Sequence, residues 1–173
     1  MCIRDSDYVG CDIDRNAMLI YNADDNDGIN GNCEGGIETY DDPPVLSLTL
    51  LNRTMTNFSY YNNAGFGTPP TQTTDPNTPF QEYDMMGSIW LDGTPLTDGG
   101  DGYDPGSTEI VQHAFPGDPN NANEWSMLSE GLPLNDPRVL VTNEMPTLSP
   151  GQIITYDAVI NFVNCPGYLI DYD

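Results

Sequence analysis

The sequence predicts a mainly β protein: an antiparallel, sandwich-like domain with long Asp/Asn/Gly/Pro-rich loops and one short helix near 79–87. Three observations carry this. Several short runs of strand-forming residues recur along the chain, separated by turn-forming stretches. Gly (17) and Pro (15) together make 32 of 173 residues, which demands many turns and leaves little room for long helices. The acids are mostly Asp, 20 of 27, and they are interleaved with Asn and Gly. That is loop chemistry, because Asp and Asn side chains bond their own backbone two residues on.

The elements follow in chain order. YVGCDID and AMLIYN near the front are two short strand candidates. VLSLTLLNRT is a clearer one, with Leu46, Leu48 and Leu50 on one face of a period-two pattern. NFSYYN follows closely. In TPFQEYDMMGSIW, Thr78 and Gln81 have capping-box spacing and Pro79 suits the first helical position. Phe80, Tyr83 and Met86 or Gly87 then fall on one side, a stripe expected to pack against a sheet. RVLVTNEM reads as a further strand. After the turn TLSPG, the run QIITYDAVINFV has Ile154, Tyr156, Ala158, Ile160 and Phe162 alternating with a more polar set, the pattern of a half-buried strand. Between 63 and 79, and between 92 and 124, the chain shows little period. Loops of that length are usually functional, or owe their order to contacts elsewhere.

At 173 residues the chain has length for one domain with a sizeable core. Four basic against 27 acidic residues give a net charge of −23, with no lysine at all. Such a field repels nucleic acid and anionic lipid surfaces and attracts cations. No apolar run approaches the length of a membrane-spanning helix, so no membrane insertion is expected. Residues 1–6, MCIRDS, resemble a translated sequencing-library adapter. On that reading they are excluded from the fold, and residues 7–173 form a single β-rich extracellular module, a fragment of a longer chain. Of the remaining cysteines, Cys11 and Cys33 have two readings, a disulfide in an oxidising compartment or buried thiols, with Cys165 left over.

Candidate sites are chiefly acidic. In NADDNDGINGNCEGG, Asp25, Asp27, Gly28 and Glu34 match later positions of a calcium loop, but Ala23 stands where the first ligand belongs. Asp24, Asp25, Asp27, Asn30 and Glu34 are therefore candidate calcium ligands outside a regular EF-hand, against the plainer reading of a solvated turn. In DGTPLTDGGDGYDPGS, residues 99–104 fit the start of a nonapeptide calcium repeat through Asp101 and Asp104. One copy, with Gly106 where a large apolar residue belongs, favours a plain glycine loop. His113 is the only histidine and has no nucleophile pattern beside it, so it reads as a packing or hydrogen-bonding residue.

Taken in order, the pieces DYVGCDIDRN, YNAD, WLDGTPLTDGGDGY, FPGDP with Trp125, DPRVL and LSPG resemble a segment of large secreted proteins of Bacteroidota-type bacteria. Those proteins typically end in a type IX secretion sorting domain. The resemblance spans nearly all of 7–163 and implies a β-rich module at the outer cell surface or outside the cell, in the interior of a longer polypeptide. It implies acidic, calcium-loop-like insertions near NADDNDG, and no catalytic residue. Two features depart from it: the chain runs into NCPGYLIDYD where a further strand tail and helix usually follow, and the segment after Asn32 keeps only Pro43 and Pro44 of a Gly/Asn/Pro-Pro run. The expectation is a non-catalytic structural or adhesion module, calcium-stabilised, whose partners are other domains of its own polypeptide and surface glycans or proteins. The alternatives are part of a secreted hydrolase acting on glycans or peptides, and a carbohydrate-binding module using Tyr60, Tyr61, Trp90 and Trp125.

Overall fold

The computed structural model describes residues 7–22, 44–65 and 67–163, together with the backbone of four two-residue strands between 26 and 41. The protein is mainly β, with antiparallel sheets and, among the described residues, a single α-helix. Strands β1 (Asp7–Asp12) and β2 (Ala17–Asn22) form a hairpin. The backbone ladders of β3 (Asn26–Asp27) with β6 (Tyr40–Asp41), and of β4 (Asn32–Cys33) with β5 (Gly36–Ile37), are nested in the chain that follows. Strand β7 (Val45–Leu50) pairs with β2, and β10 (Ala158–Val163) pairs with β7, so the main sheet runs β1-β2-β7-β10. The second layer is a ribbon of β8 (Asn57–Asn62) and β9 (Pro137–Thr142), whose single proline is its first residue, where no ladder donor is lost.

Segment 112–115 joins the two layers through its backbone. Phe58 N–H donates to Gln112 O (3.0 Å) and Ala114 N–H to Phe58 O (2.9 Å), while Cys11 N–H donates to Phe115 O (3.2 Å). The free edge of β1 is thus covered, a position that would otherwise leave backbone groups unpaired. Phe115 is fully buried and holds φ at 49°, a left-handed conformation that a bulky residue adopts only when its surroundings impose it. Its ring is wedged between Tyr60 (5.1 Å) and Trp125 (5.0 Å).

The β1–β2 turn is fastened by Asn16, which also sits at positive φ (57°), a conformation Asn tolerates better than most residues. Its Nδ2 donates to Leu50 O (2.6 Å) and Arg53 O (2.5 Å), and its Oδ1 accepts from Met55 N–H (2.6 Å). One side chain thereby fixes the corner where β7 leaves the sheet toward β8. Beside it, Asp12 accepts from the Arg15 backbone (2.8 Å) and guanidinium (2.7 Å). Partial burial pushes the Asp12 carboxyl up, and the hydrogen bonds and charge of Arg15 outweigh it, so its pKa lies below the ordinary value.

All six strands expected from periodicity outside 23–43 are present, and the helix α1 spans Pro79–Met86. Thr78 caps it, accepting from Gln81 N–H (3.3 Å). Two expectations about burial fail. Phe80 and Tyr83 do not pack against a sheet; they are 83 % and 76 % exposed, and Met86 is exposed too. The opposite face is the buried one, through Met85 at 1 %, whose carbonyl accepts from Ser59 Oγ of β8 (2.6 Å). An eight-residue helix has one short line of contact, and this anchor selects it. The second failure is QIITYDAVINFV. Only Ala158–Val163 is strand, and Ile160 and Phe162 are 62 % and 63 % exposed. The cross-strand rows Met18–Leu48–Ile160 and Ile20–Leu46–Phe162 run from the buried hairpin outward to a sheet edge that no described residue covers.

Cys11 carries a free, fully buried thiol 3.4 Å from Ala114 O, so its buried-thiol reading holds; the Cys33 and Cys165 side chains lie outside the described residues. Burial first, and then the neighbouring Asp12 charge, push this thiol up to about 12.

Two outcomes are expected. Asn16→Ala should lower the unfolding free energy by about 2–3 kcal/mol in urea titrations, since it removes three buried-end hydrogen bonds. Asn16→Gly should lose nearly as much, because the side chain rather than the φ angle carries the effect. For Asp12, the depressed native pKa gives stability that is present above the unfolded-state pKa and lost as pH falls through the native one. Asp12→Asn should therefore flatten the acid limb of a stability-against-pH curve, and an unchanged limb would remove Asp12 from the account.

Candidate functional site

The acidic glycine loop DGGDGYD is held by the aromatic core. Gly99, Gly100 and Gly102 have φ of 88°, 56° and 79°, a run of left-handed geometry that side chains rarely adopt. The turn aligns three consecutive carbonyls toward three rings. Trp125 Nε1–H donates to Gly100 O (3.0 Å), the Tyr60 hydroxyl to Asp101 O (2.8 Å), and Trp90 Nε1–H to Gly102 O (2.9 Å). Gly102 O also accepts from the Thr97 backbone (2.9 Å) and hydroxyl (3.1 Å). A Cβ at residue 102 would stand 2.7 Å from Leu96 Cδ1, so a larger residue would have to displace that buried methyl besides adopting a strained φ. Tyr60 stacks edge-on against Trp90 (5.5 Å), and Trp90 against Tyr103 (6.5 Å). Burial, and secondarily the Asp101 charge, raise the Tyr60 phenol far above its ordinary pKa, which keeps it a donor.

Carboxylates in this region turn the chain. Asp92 accepts from Thr94 N–H (3.0 Å), Asp101 from Tyr103 N–H (3.1 Å), Asp104 from Gly106 N–H (2.8 Å) and Asp118 from Asn120 N–H (2.8 Å). Each is the same two-residue Asx bond that the composition predicted. Tyr103 Oη donates to Asp92 Oδ2 (2.7 Å), closing the loop from the other side. In the FPGDP turn, Gly117 donates to Trp125 O (2.9 Å), and a Cβ there would meet Trp125 N and O at 2.7 Å. Glu124 completes it by accepting from Asp118 N–H (2.9 Å) and Asn121 Nδ2 (2.7 Å).

The sequence candidates separate accordingly. Asp24, Asp25, Asn30 and Glu34 lie outside the described residues, and Asp27 is described only as backbone in β3, opposite Tyr40. Asp101 and Asp104 share one loop, but among the described residues no three His, Cys, Asp or Glu side chains converge as a metal cluster. The glycine-loop reading of 99–104 fits this geometry. His113 sits on a parallel bridge to Phe58, with Nε2 3.3 Å from Met55 O. Tyr60 and Trp90 are buried, so their faces are closed to a sugar ring; Tyr61 lies under the Arg138 guanidinium (5.9 Å), and Trp125 is half-buried. Sequence reasoning missed Phe115, Gly117 and the convergence of three rings on one loop. The spacing of Trp90, Gly102 and Trp125 in the chain carries no local signal of it.

No protein-family model matches the chain, and no curated protein or solved structure is significantly similar to it.

Tyr60→Phe leaves Asp101 O without its donor, and Trp125→Phe does the same at Gly100 O. Each should lower stability by about 1–2 kcal/mol. Because both hold one rigid loop, the double variant should depart from additivity by more than about 0.5 kcal/mol in urea unfolding.

Proposed function

We propose that this chain is a non-catalytic structural and adhesive module of a secreted or cell-surface polypeptide, stabilised by calcium bound in segment 24–34. The observation that carries the reading is the use made of its polar groups. Indole, phenol and carboxylate groups that could serve a reaction instead brace long surface loops, by ring-to-carbonyl bonds on 100–102 and by Asx turns at Asp92, Asp101, Asp104 and Asp118. Loops stiffened in this way suit display, because little conformational entropy is lost when a partner binds them. The acidic charge, and the resemblance of the motif order to that of large exported proteins, support an extracellular setting, within a polypeptide that supplies neighbouring domains. Calcium suits segment 24–34 chemically, since carboxylate and amide oxygens on a turn are the hard ligands it takes.

Calcium at a hundredfold excess over its dissociation constant adds about 2.7 kcal/mol to a one-site protein. For a chain of this length that is a rise in Tm of roughly 5–10 °C, reversed by a chelator. Replacing Asp24, Asp25 and Asp27 together by Asn should abolish the rise. A calcium-indifferent Tm would remove the ion from the proposal. Hydrolysis of a glycan or peptide that Asp-to-Asn changes abolish would overturn the non-catalytic reading itself.

A further inference from the structure

The main sheet has two edges, and they differ. That of β1 is covered by segment 112–115, where Cys11 N–H donates to Phe115 O (3.2 Å). That of β10 has no neighbour beyond β7 among the described residues. Its backbone is set to pair. Leu51 N–H donates to Asp157 O (2.8 Å) and Leu50 N–H to Asn16 O (3.1 Å), so odd-numbered residues of β7 bond toward β10 and even-numbered ones toward β2. With Val159 opposite Thr49 and Asn161 opposite Ser47, the N–H and C=O groups of Val159, Asn161 and Val163 go to β7. Those of Ala158, Ile160 and Phe162 point to the open edge. The strand carries none of the devices that blunt an exposed edge: AVINFV has no charge, no proline and no bulge in its ladder. Ile160 and Phe162 remain mostly exposed along it.

The occupant follows from charge and register. None of the six residues of β7 or the six of β10 is charged, in a chain of net charge −23. A basic partner would be drawn to the acidic surface rather than to this strip, whereas two copies of the chain can approach closely only where charge is missing. We propose that β10 pairs antiparallel with β10 of a second copy about a two-fold axis, joining two four-stranded sheets into one. An antiparallel pair of identical strands in symmetric register has that symmetry. Outward-bonding residues must lie opposite outward-bonding residues, and the register that uses Ala158, Ile160 and Phe162 together sets Ile160 opposite Ile160 of the second copy. Ala158 then faces Phe162 of the second copy, the smallest side chain of the strand against the largest. Asp157, the nearest acid, falls opposite Val163 of the second copy. The two Asp157 residues are thereby held roughly 20 Å apart along the strands, beyond the screening length in physiological salt. So short a pairing makes a modest interface, and the affinity is expected to be micromolar. The inference rests on the fold, not on the calcium or the surface setting proposed above.

The test is sedimentation equilibrium of the full chain over a range of concentrations, in a chelator, at low and at high salt. The expected result is a reversible monomer–dimer equilibrium, at least about threefold tighter in high salt, which screens the repulsion between two acidic copies. Ile160→Glu sets like charges opposite one another, and Ile160→Pro removes an N–H aimed at the edge; each should weaken the dimer at least about tenfold. Both leave the β7 ladder intact, because residue 160 bonds outward, and an unchanged circular dichroism spectrum checks that the chain still folds. Ile153→Glu, at a residue 85 % exposed but outside the strand, should change nothing. Within one chain Ala158 and Phe162 lie roughly 13 Å apart along the strand, so an NMR contact between the Ala158 methyl and the Phe162 ring arises only between copies, and it is expected in the dimer. A chain that stays monomeric at submillimolar concentration in high salt, a dimer indifferent to both Ile160 variants, or a dimer without the Ala158–Phe162 contact overturns the proposal. So does slow hydrogen exchange at the Ala158, Ile160 and Phe162 amides in the monomer, which would place other residues of the same chain on the edge.

Discussion

Three neighbouring backbone carbonyls, those of Gly100, Asp101 and Gly102, each accept a hydrogen bond from a different aromatic ring. The rest of the described structure depends on this arrangement. Indole and phenol donors in a core need acceptors, and a glycine turn with three positive φ angles can point successive carbonyls at them. The loop in return gains an anchor that its own composition could not supply. Apart from it, 92–124 is a long stretch rich in Gly, Pro and Asp, fixed only by a few buried apolar residues such as Leu96, Ala114 and Phe115. With it, the loop carries Trp90, Phe115 and Trp125 into one continuous aromatic stack against Tyr60.

The stack also explains the strain beside it. Phe115 occupies a left-handed conformation because its ring must lie between Tyr60 and Trp125 while its carbonyl completes the edge of β1. A strained residue of this kind costs roughly 1–3 kcal/mol and persists only when the surroundings over-determine it. Here they do so from both layers at once, since 112–115 hydrogen-bonds to Phe58 on one side and Cys11 on the other. The two sheets are therefore coupled by main-chain bonds as well as by packing. The same convergence of β1, β8 and the glycine loop leaves a cleft of about 250 Å³ at their junction.

Two apolar surfaces remain outside this logic. The Phe80, Tyr83 and Met86 side of α1 and the outer strand β10 are both exposed, although their sequence patterns resemble those of buried elements. Periodicity records which residues share a face. It does not record whether another element lies over that face. In α1 the anchor is Met85, on the face opposite the expected stripe, and nothing local distinguishes the two choices. In β10 the alternation is real and the strand forms, yet its only described neighbour is β7.

What the sequence by itself determined is what depends on near neighbours. The alternating runs became the strands of the sheet and ribbon, Thr78 and Pro79 started the helix, and Asp and Asn turned the chain two residues on, because each effect acts within a few residues. A candidate calcium ligand pair, Asp101 and Asp104, was legible as a loop for the same reason. The tertiary structure alone decided which helix face is buried, which strand stands at an open edge, where the rings of Tyr60, Trp90 and Trp125 find their acceptors, and that Asn62 and Asp101 border one cleft. Those outcomes join residues tens of positions apart. They are set by which surfaces meet when the two layers close, and that is not written in any local stretch of the chain.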